Sequence, residues 1–307
     1  MPYTLFIETP DNFSFRSTIY SHGWCELAPF EIDVDNWRLS YVFRDGKNKL
    51  PVPATIFEGE GQLRIDLERK PADAERIISD VRHLLRLDDD IDGFYESVVG
   101  HERLDWVVKR RAGRMLRSAT VFEDLVKTIC TTNCSWALTK IMVNNLVEKL
   151  GTPAGTQAAS LRVSRANSES LRKAFPTPQQ MADVSEDFYR SEIKAGYRAP
   201  YFVELAEAVV AGKHDPQDWL TTDLSTPELK KEMKKVKGVG DYAAENLLKL
   251  VGRYDGLALD SWLRSQFYKN HNKEKVCPDK KIEKHYKKFG KWRGLVIWCD
   301  MTEKWIN

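Results

Sequence analysis

Apolar and polar positions alternate near the start of the chain and change to a helical spacing after about residue 70. Residues 3–7, 37–43 and 62–67 carry the alternation or the β-branched and aromatic content of strands. Arg44-Asp45-Gly46-Lys47 and Glu58-Gly59-Glu60-Gly61 are turn signals between them. Pro51 and Pro53 lack the amide a central strand needs, which places one strand at a sheet edge. A helix is predicted over 73–87, with Ile77, Ile78, Val81, Leu84 and Leu85 as its buried stripe. An acidic run, Asp88-Asp89-Asp90-Ile91-Asp92, marks a seam, and from about residue 96 the period is helical throughout. Helices are expected over 121–138 and 141–150, broken around Cys130-Thr131-Thr132-Asn133-Cys134, then over 178–183, 185–194, 199–212 and 292–305. The Ser/Ala/Thr-rich stretch 152–170 reads as a mobile connector. The fold class is therefore α+β: a small antiparallel sheet with a helix over 1–92, followed by an all-helical domain over 93–307.

The most informative stretch is Val236-Lys237-Gly238-Val239-Gly240-Asp241-Tyr242. Leu229, Met233 and Val236 form an apolar helical face before it, and Ala243, Ala244, Leu247, Leu248 and Val251 form another after it. Two glycines between helices permit a tight hairpin, and a helix that starts at a glycine exposes amide groups able to hold a phosphate. Lys234, Lys235 and Lys237 sit beside it. Twenty residues after Gly240 comes Asp260, directly before a helical run. A glycine turn between helices is common, and an Asp before a helix is often only an N-cap; the combination with the lysines is what points to nucleic acid.

Charge supports that reading. Residues 228–293 hold 18 Lys and Arg against 9 Asp and Glu, while the remainder holds 29 against 36. A basic region around a phosphate-type turn, on a chain otherwise acidic, favours a nucleic-acid face. A second basic cluster lies at 109–117. No apolar run is long enough for a bilayer span, and the start lacks the pattern of a secretory leader, so no membrane association is expected. Five cysteines without a regular framework suit a reducing interior. His271, Cys277, His285 and Cys299 lack zinc-ligand spacing, and Cys130 and Cys134 read as two thiols one turn apart on a helix. His22-Gly23-Trp24 reads as a packed tryptophan beside a turn. No Walker-type or dinucleotide loop is present.

The hairpin with its Asp resembles the helix-hairpin-helix (HhH-GPD) DNA glycosylases of base excision repair. The resemblance extends to Phe122-Glu123-Asp124-Leu125-Val126 through Leu150-Gly151, to Phe175-Pro176-Thr177-Pro178, and to Ala195-Gly196-Tyr197-Arg198-Ala199. It lies between the 3-methyladenine glycosylase II and 8-oxoguanine glycosylase branches, and the seam at 85–95 resembles the former. The resemblance implies a monomeric enzyme acting on double-stranded DNA with a damaged base, in the cytoplasm or nucleoid, or in the nucleus of a eukaryote. Gly238, Val239 and Gly240, with Lys237 and Lys235, would hold the DNA backbone. The carbonyls of Lys234, Val236 and Val239 match those that bind a monovalent cation, sodium or potassium, in relatives. No other cofactor is expected: only Cys277 and Cys299 follow Asp260, too few for the iron–sulfur cluster some relatives hold.

Asp260 would be the essential carboxylate, since cleavage of an N-glycosidic bond builds positive charge on the sugar and needs a water held or deprotonated. Capping a helix is compatible with that role. Tyr242 stands where strand-cutting relatives carry a lysine, so a monofunctional enzyme is expected, with Tyr242 stacking on an extruded, cationic alkylated purine; the alternative is a core aromatic. Asn133 matches the residue inserted into the gap left by the base, or simply ends a helix. Phe13, Phe15, Asn246 and Trp262 would border the base pocket. Phe13-Ser14-Phe15-Arg16 resembles the 8-oxoguanine branch, but Asn12 and Asn246 replace a glycine and a cysteine of its pocket. Oxidised guanine is thus the second substrate, and a non-catalytic DNA-binding module the reading from another class.

Overall fold

The structure is a computed structural model that describes residues 2–154 and 172–305. The strands are β1 Tyr3–Glu8, β2 Glu31–Asp33, β3 Arg38–Asp45, β4 Leu50–Glu58, β5 Gln62–Leu67, β6 Thr152–Pro153 and β7 Lys173–Ala174. The helices are α1 Phe15–Ile19, α2 Ala74–Leu85, α3 Asp92–Val98, α4 Asp105–Lys109, α5 Val121–Thr131, α6 Trp136–Leu150, α7 Pro178–Ala182, α8 Glu186–Phe188 (continued by a wider turn, Tyr189–Ile193), α9 Ala199–Val210, α10 Thr226–Met233, α11 Asp241–Leu250, α12 Ser261–His271, α13 Asp279–Tyr286 and α14 Arg293–Thr302. The α+β class follows directly: a five-stranded antiparallel sheet early in the chain, then mostly helix. Most of the connector expected at 152–170 lies outside the described residues.

Contacts divide the chain into two compact units, each assembled from separate stretches. The first comprises 1–11, 23–84 and 133–214; the second comprises 12–22, 85–132 and 215–307. The seam expected at 92/93 lies inside the second.

In the first unit the strand order is β1-β5-β4-β3-β2. Alternation is clearest in β5, where Leu63, Ile65 and Leu67 are buried and the residues between them face outward or are half-buried. The expectation that the prolines mark an edge strand needs correction, because β4 has a neighbour on each side. Pro51 and Pro53 pair with Arg44 and Val42 of β3, whereas the ladder to β5 begins only at Ala54. The prolines thus occupy a one-sided overhang of a central strand, where a missing amide costs little. The stripe of α2 is buried at Ile77, Val81 and Leu84, with Ile78 half-buried. Gly23 adopts φ 87°, and Trp24 beside it is buried as expected of a packed tryptophan at a turn. Arg44 ties the sheet to its helical flank: its guanidinium donates to the carbonyl of Phe175 at 2.6 Å and reaches Thr152 Oγ1 and Gln180 Oε1 at 3.3 Å.

Two local expectations are overturned. Helix α5 ends at Thr131 and α6 starts at Trp136, capped by Ser135. Cys134 therefore lies in the loop, and the two cysteines do not share a helix. Nor is the basic cluster at 109–117 a surface patch as a whole, since Arg114 and Arg117 are buried.

Arg44→Met is expected to cost about 1–3 kcal/mol, because it leaves the Phe175 carbonyl without its donor. Urea unfolding followed by far-UV circular dichroism measures it, and an unchanged midpoint would contradict the role given to Arg44.

Candidate active site

The hairpin and Asp260 both belong to the second unit. Helix α10 starts with a capping box between Ser225 and Glu228 and buries Leu229 and Met233. The chain then turns through Val236, whose amide donates to Met233 O at 3.1 Å and whose carbonyl accepts from Val239 N at 3.0 Å. Gly238 has φ 88°, a conformation that glycine enters without a Cβ penalty. Gly240 is the N-cap of α11, with no side-chain cap, and a Cβ built there would meet nothing within 4 Å. The start of α11 is thus an open backbone surface with uncapped amides.

The lysines around it are partly committed. Asp241, the first residue of α11 and largely exposed, takes Lys234 Nζ at 3.0 Å and Lys230 Nζ at 3.1 Å. These two lysines hold its carboxyl below the usual range. Lys235 pairs with Glu232 at 2.6 Å, and Lys237 is exposed. Asp241 places a negative charge where a phosphate would sit and diverts Lys234 to neutralise it.

Asp260 is the N-cap of α12, and its Oδ1 accepts from Leu263 N at 2.7 Å. Oδ2 makes no hydrogen bond among the described residues. The side chain is half-buried. The loop that presents it is held by α11 from two points one turn apart: Glu245 Oε2 accepts from Ala258 N, and Lys249 Nζ donates to Leu257 O at 3.4 Å. Ala258 is fully buried at φ 51°, a left-handed conformation costly to a residue with a Cβ, so this contact restrains a strained backbone. Gly294 closes the loop from behind, its amide donating to Tyr254 O at 2.7 Å. A Cβ at Gly294 would lie 2.0 Å from Gly256 O, so only glycine permits that approach.

Lys249 is wholly buried. Burial pushes its ammonium down to about 8, against the opposing pull of Glu245 and Asp260. Its charge also faces the Trp298 ring at 5.8 Å. Sequence reasoning did not single out Glu245 or Lys249. The available signal was a Glu and a Lys four apart on a helix otherwise apolar on that side, with Lys249 inside Leu247-Leu248-Lys249-Leu250-Val251. At the far end of α11, Arg86 Nη1 donates to the carbonyls of Lys249 and Leu250 at 2.9 and 3.3 Å, and Arg117 Nε donates to Leu250 O.

The other expected residues fall in different settings. Tyr242 is half-buried in the first turn of α11, and its carbonyl accepts from Asn246 Nδ2 at 3.0 Å. Trp262 is half-buried in a cluster with Trp298 and Trp305, at centroid distances of 6.2 and 5.1 Å. Phe13 is buried and Phe15 fully enclosed, so Phe15 presents no face to a ligand in this structure. Asn12 is locked between Asp92 and Arg114, at 2.7 and 2.6 Å. Asn133 belongs to the first unit; it is exposed at φ 47°, with Nδ2 3.5 Å from Tyr197 Oη. Residues 12–22 also bring His22 into the second unit, where burial drives its imidazole down to about 3 and keeps it neutral.

The buried Lys249 gives stability a pH signature. Its pKa is depressed on folding, so between about 8 and the unfolded value of 10.5 the unfolded chain binds more protons, and stability rises with pH. Relative to Lys249→Met, the wild type is expected to gain on the order of 3 kcal/mol across that window. Parallel pH-dependent denaturation curves for the two proteins test this: if the amine were solvated, the difference between them would not change across the window.

No family model and no curated protein sequence matches the chain. Solved structures do resemble it. MBOgg1 in complex with a low-affinity DNA ligand superimposes with a TM-score of 0.75 at 19% identity, covering 98% of this chain and 96% of that one. The 3-methyladenine DNA glycosylase of Archaeoglobus fulgidus gives 0.74 at 17%, covering 98% of both chains. The 8-oxoguanine glycosylase/lyase of Clostridium acetobutylicum, in its apo form, gives 0.71 at 18%, covering 96% and 95%. Across nearly its whole length, this chain has the fold of the helix-hairpin-helix (HhH-GPD) DNA glycosylases.

Proposed function

We propose that the protein is a monofunctional DNA glycosylase that extrudes a damaged purine, alkylated rather than oxidised, from duplex DNA and hydrolyses its N-glycosidic bond. The observation that carries this reading is the mounting of Asp260. One helix, α11, offers uncapped amides at its start and grips the loop leading to Asp260 with Glu245 and Lys249 farther along. A phosphate on the amides of Gly240 and its neighbours would fix the register of the DNA without reading sequence. Lys237 adds positive charge there. Asp260 Oδ2, unbonded while Oδ1 caps α12, is available to stabilise the cationic sugar and to orient the attacking water. A half-buried Tyr242 on the same helix suits stacking on a cationic base.

The monofunctional assignment is supported by the amines at hand. Tyr242 supplies none, and Lys249, the single lysine of α11, is fully enclosed and turned to the Leu257 carbonyl. A sodium or potassium ion at the hairpin would take the carbonyls of Lys234, Val236 and Val239. The Val236 oxygen already accepts one amide and keeps a second lone pair for such an ion, so the donor set fits. The ion would add positive charge beside the phosphate.

Asp260→Asn should reduce base release by about 10²–10⁴-fold. Asn caps a helix as well as Asp, so fold and DNA affinity should be retained. Single-turnover release from duplexes carrying 3-methyladenine, 7-methylguanine, hypoxanthine, 8-oxoguanine and uracil tests both residue and substrate class. Full activity of the variant refutes the role of Asp260, and release of 8-oxoguanine alone moves the substrate to the second reading. Borohydride should trap no covalent adduct with DNA; an adduct overturns the monofunctional mechanism.

Asp241→Asn is expected to act in the opposite sense. Removing the charge at the helix start and freeing Lys234 should tighten binding severalfold at low salt and steepen the dependence of log K on log [KCl] by about one. An unchanged slope would place the phosphate contact elsewhere.

A further inference from the structure

We propose that His271, His285 and Asp300 bind one divalent metal ion, of the class to which zinc belongs. The three side chains come from successive helices: His271 from the last turn of α12, His285 from the last turn of α13, and Asp300 from α14. One potential ligand atom from each lies within 4.8 Å of the other two. His271 Nε2 is 2.6 Å from Asp300 Oδ2, and the two imidazole rings lie 4.5 Å apart between centroids.

Ligands at about 2.0–2.2 Å from a tetrahedral zinc ion are about 3.3–3.6 Å from one another. Side-chain shifts of roughly 1 Å would therefore convert the present triangle into a coordination shell. Two imidazoles and one carboxylate form a borderline donor set, suited to zinc and its first-row neighbours rather than to calcium or magnesium.

Two further features fit a metal better than a plain His–Asp ion pair. His285 is exposed and makes no hydrogen bond or ion pair among the described residues, although it faces the buried His271–Asp300 pair; that pair alone would not require it. The carboxylate is also held as a ligand must be. Tyr286 donates to Asp300 Oδ2 at 2.6 Å and Arg103 Nε to Oδ1 at 3.0 Å, orienting it from behind. The cluster opens on a cavity of about 170 Å³, lined also by His101, Glu102, Arg103 and Lys288, with room for the ion and a water as fourth ligand. The spacing rule did not single the site out because its ligands are 14 and 15 residues apart on three helices, not paired within one loop.

Bound there, the ion would fasten the C-terminal end of α12, whose other end carries Asp260, to α13 and α14. Its role would be structural, and it is independent of the glycosylase reading. Tag-free, chelator-treated protein titrated with Zn²⁺ alone in a calorimeter should bind one equivalent with a Kd below micromolar and melt several degrees higher in its presence. Co²⁺ in place of zinc should give the visible absorption of a tetrahedral site. His285→Ala removes an exposed ligand without disturbing the core and should weaken binding at least 10-fold and abolish the cobalt spectrum. His83→Ala, on α2, and Cys277→Ser, neither of which lines the cavity, should change neither. If wild type and His285→Ala bind zinc equally, or if either control variant removes the binding, the assignment fails.

Discussion

Two polar side chains on one turn of a helix govern the geometry of the candidate site. Glu245 and Lys249 project from α11 onto the same loop, one accepting the Ala258 amide and the other donating to the Leu257 carbonyl. Both backbone groups lie in a segment that cannot pair as helix or sheet, and unpaired they would carry the full cost of burial. A buried lysine is itself expensive, as its depressed pKa records. That cost is offset by the Glu245 and Asp260 carboxylates and the Trp298 face nearby. The consequence is that the position of Asp260 is set by the helix whose first turn would meet the DNA.

The far end of α11 is anchored by charge as well. Arg86 and Arg117 satisfy its last carbonyls, and Asp89 balances them, with Arg86 Nε 2.7 Å from Asp89 Oδ2. Burial, with the Arg86 charge beside it, depresses Arg117 to about 10 against the pull of Asp89. Cations at the C-terminus complement the helix dipole, leaving the uncapped N-terminus as the end where an anion is favoured. The glycine at 294 lets the start of α14 press against the same loop at Tyr254 and Gly256.

Much of this was legible in the sequence, and the reasons differ by element. The sheet and the hairpin follow local rules: period-two alternation in β5, glycines at the turn, and helical spacing on both sides of it. Asp260 was legible because a cap and its helix are neighbours in the chain. What was not legible depends on tertiary placement. Pro51 and Pro53 sit in a central strand because β5 stops short of them, which no property of β4 reveals. Arg114 and Arg117 look like a surface patch until the carbonyls they satisfy, 25 to 133 residues away, are in view. Phe15 resembles a pocket residue by motif and is enclosed by packing.

The electrostatics of the hairpin carry one further implication. A DNA-binding surface tuned only for affinity would leave its lysines free, yet Lys234 is spent on Asp241 at the very start of α11, and Lys230 is shared between Asp241 and Glu245. The carboxylate also complements the helix dipole, so in the free protein it stabilises the helix start that a phosphate would otherwise occupy. A phosphate arriving there would have to compete with Asp241 for the same field and for the Lys234 ammonium. Under the proposed function, binding to undamaged duplex would thereby be weakened, which would suit an enzyme that must leave one site to inspect the next. The hairpin would then be set for turnover rather than for tight retention, with the Asp260 loop held by Glu245 and Lys249 while the DNA is exchanged.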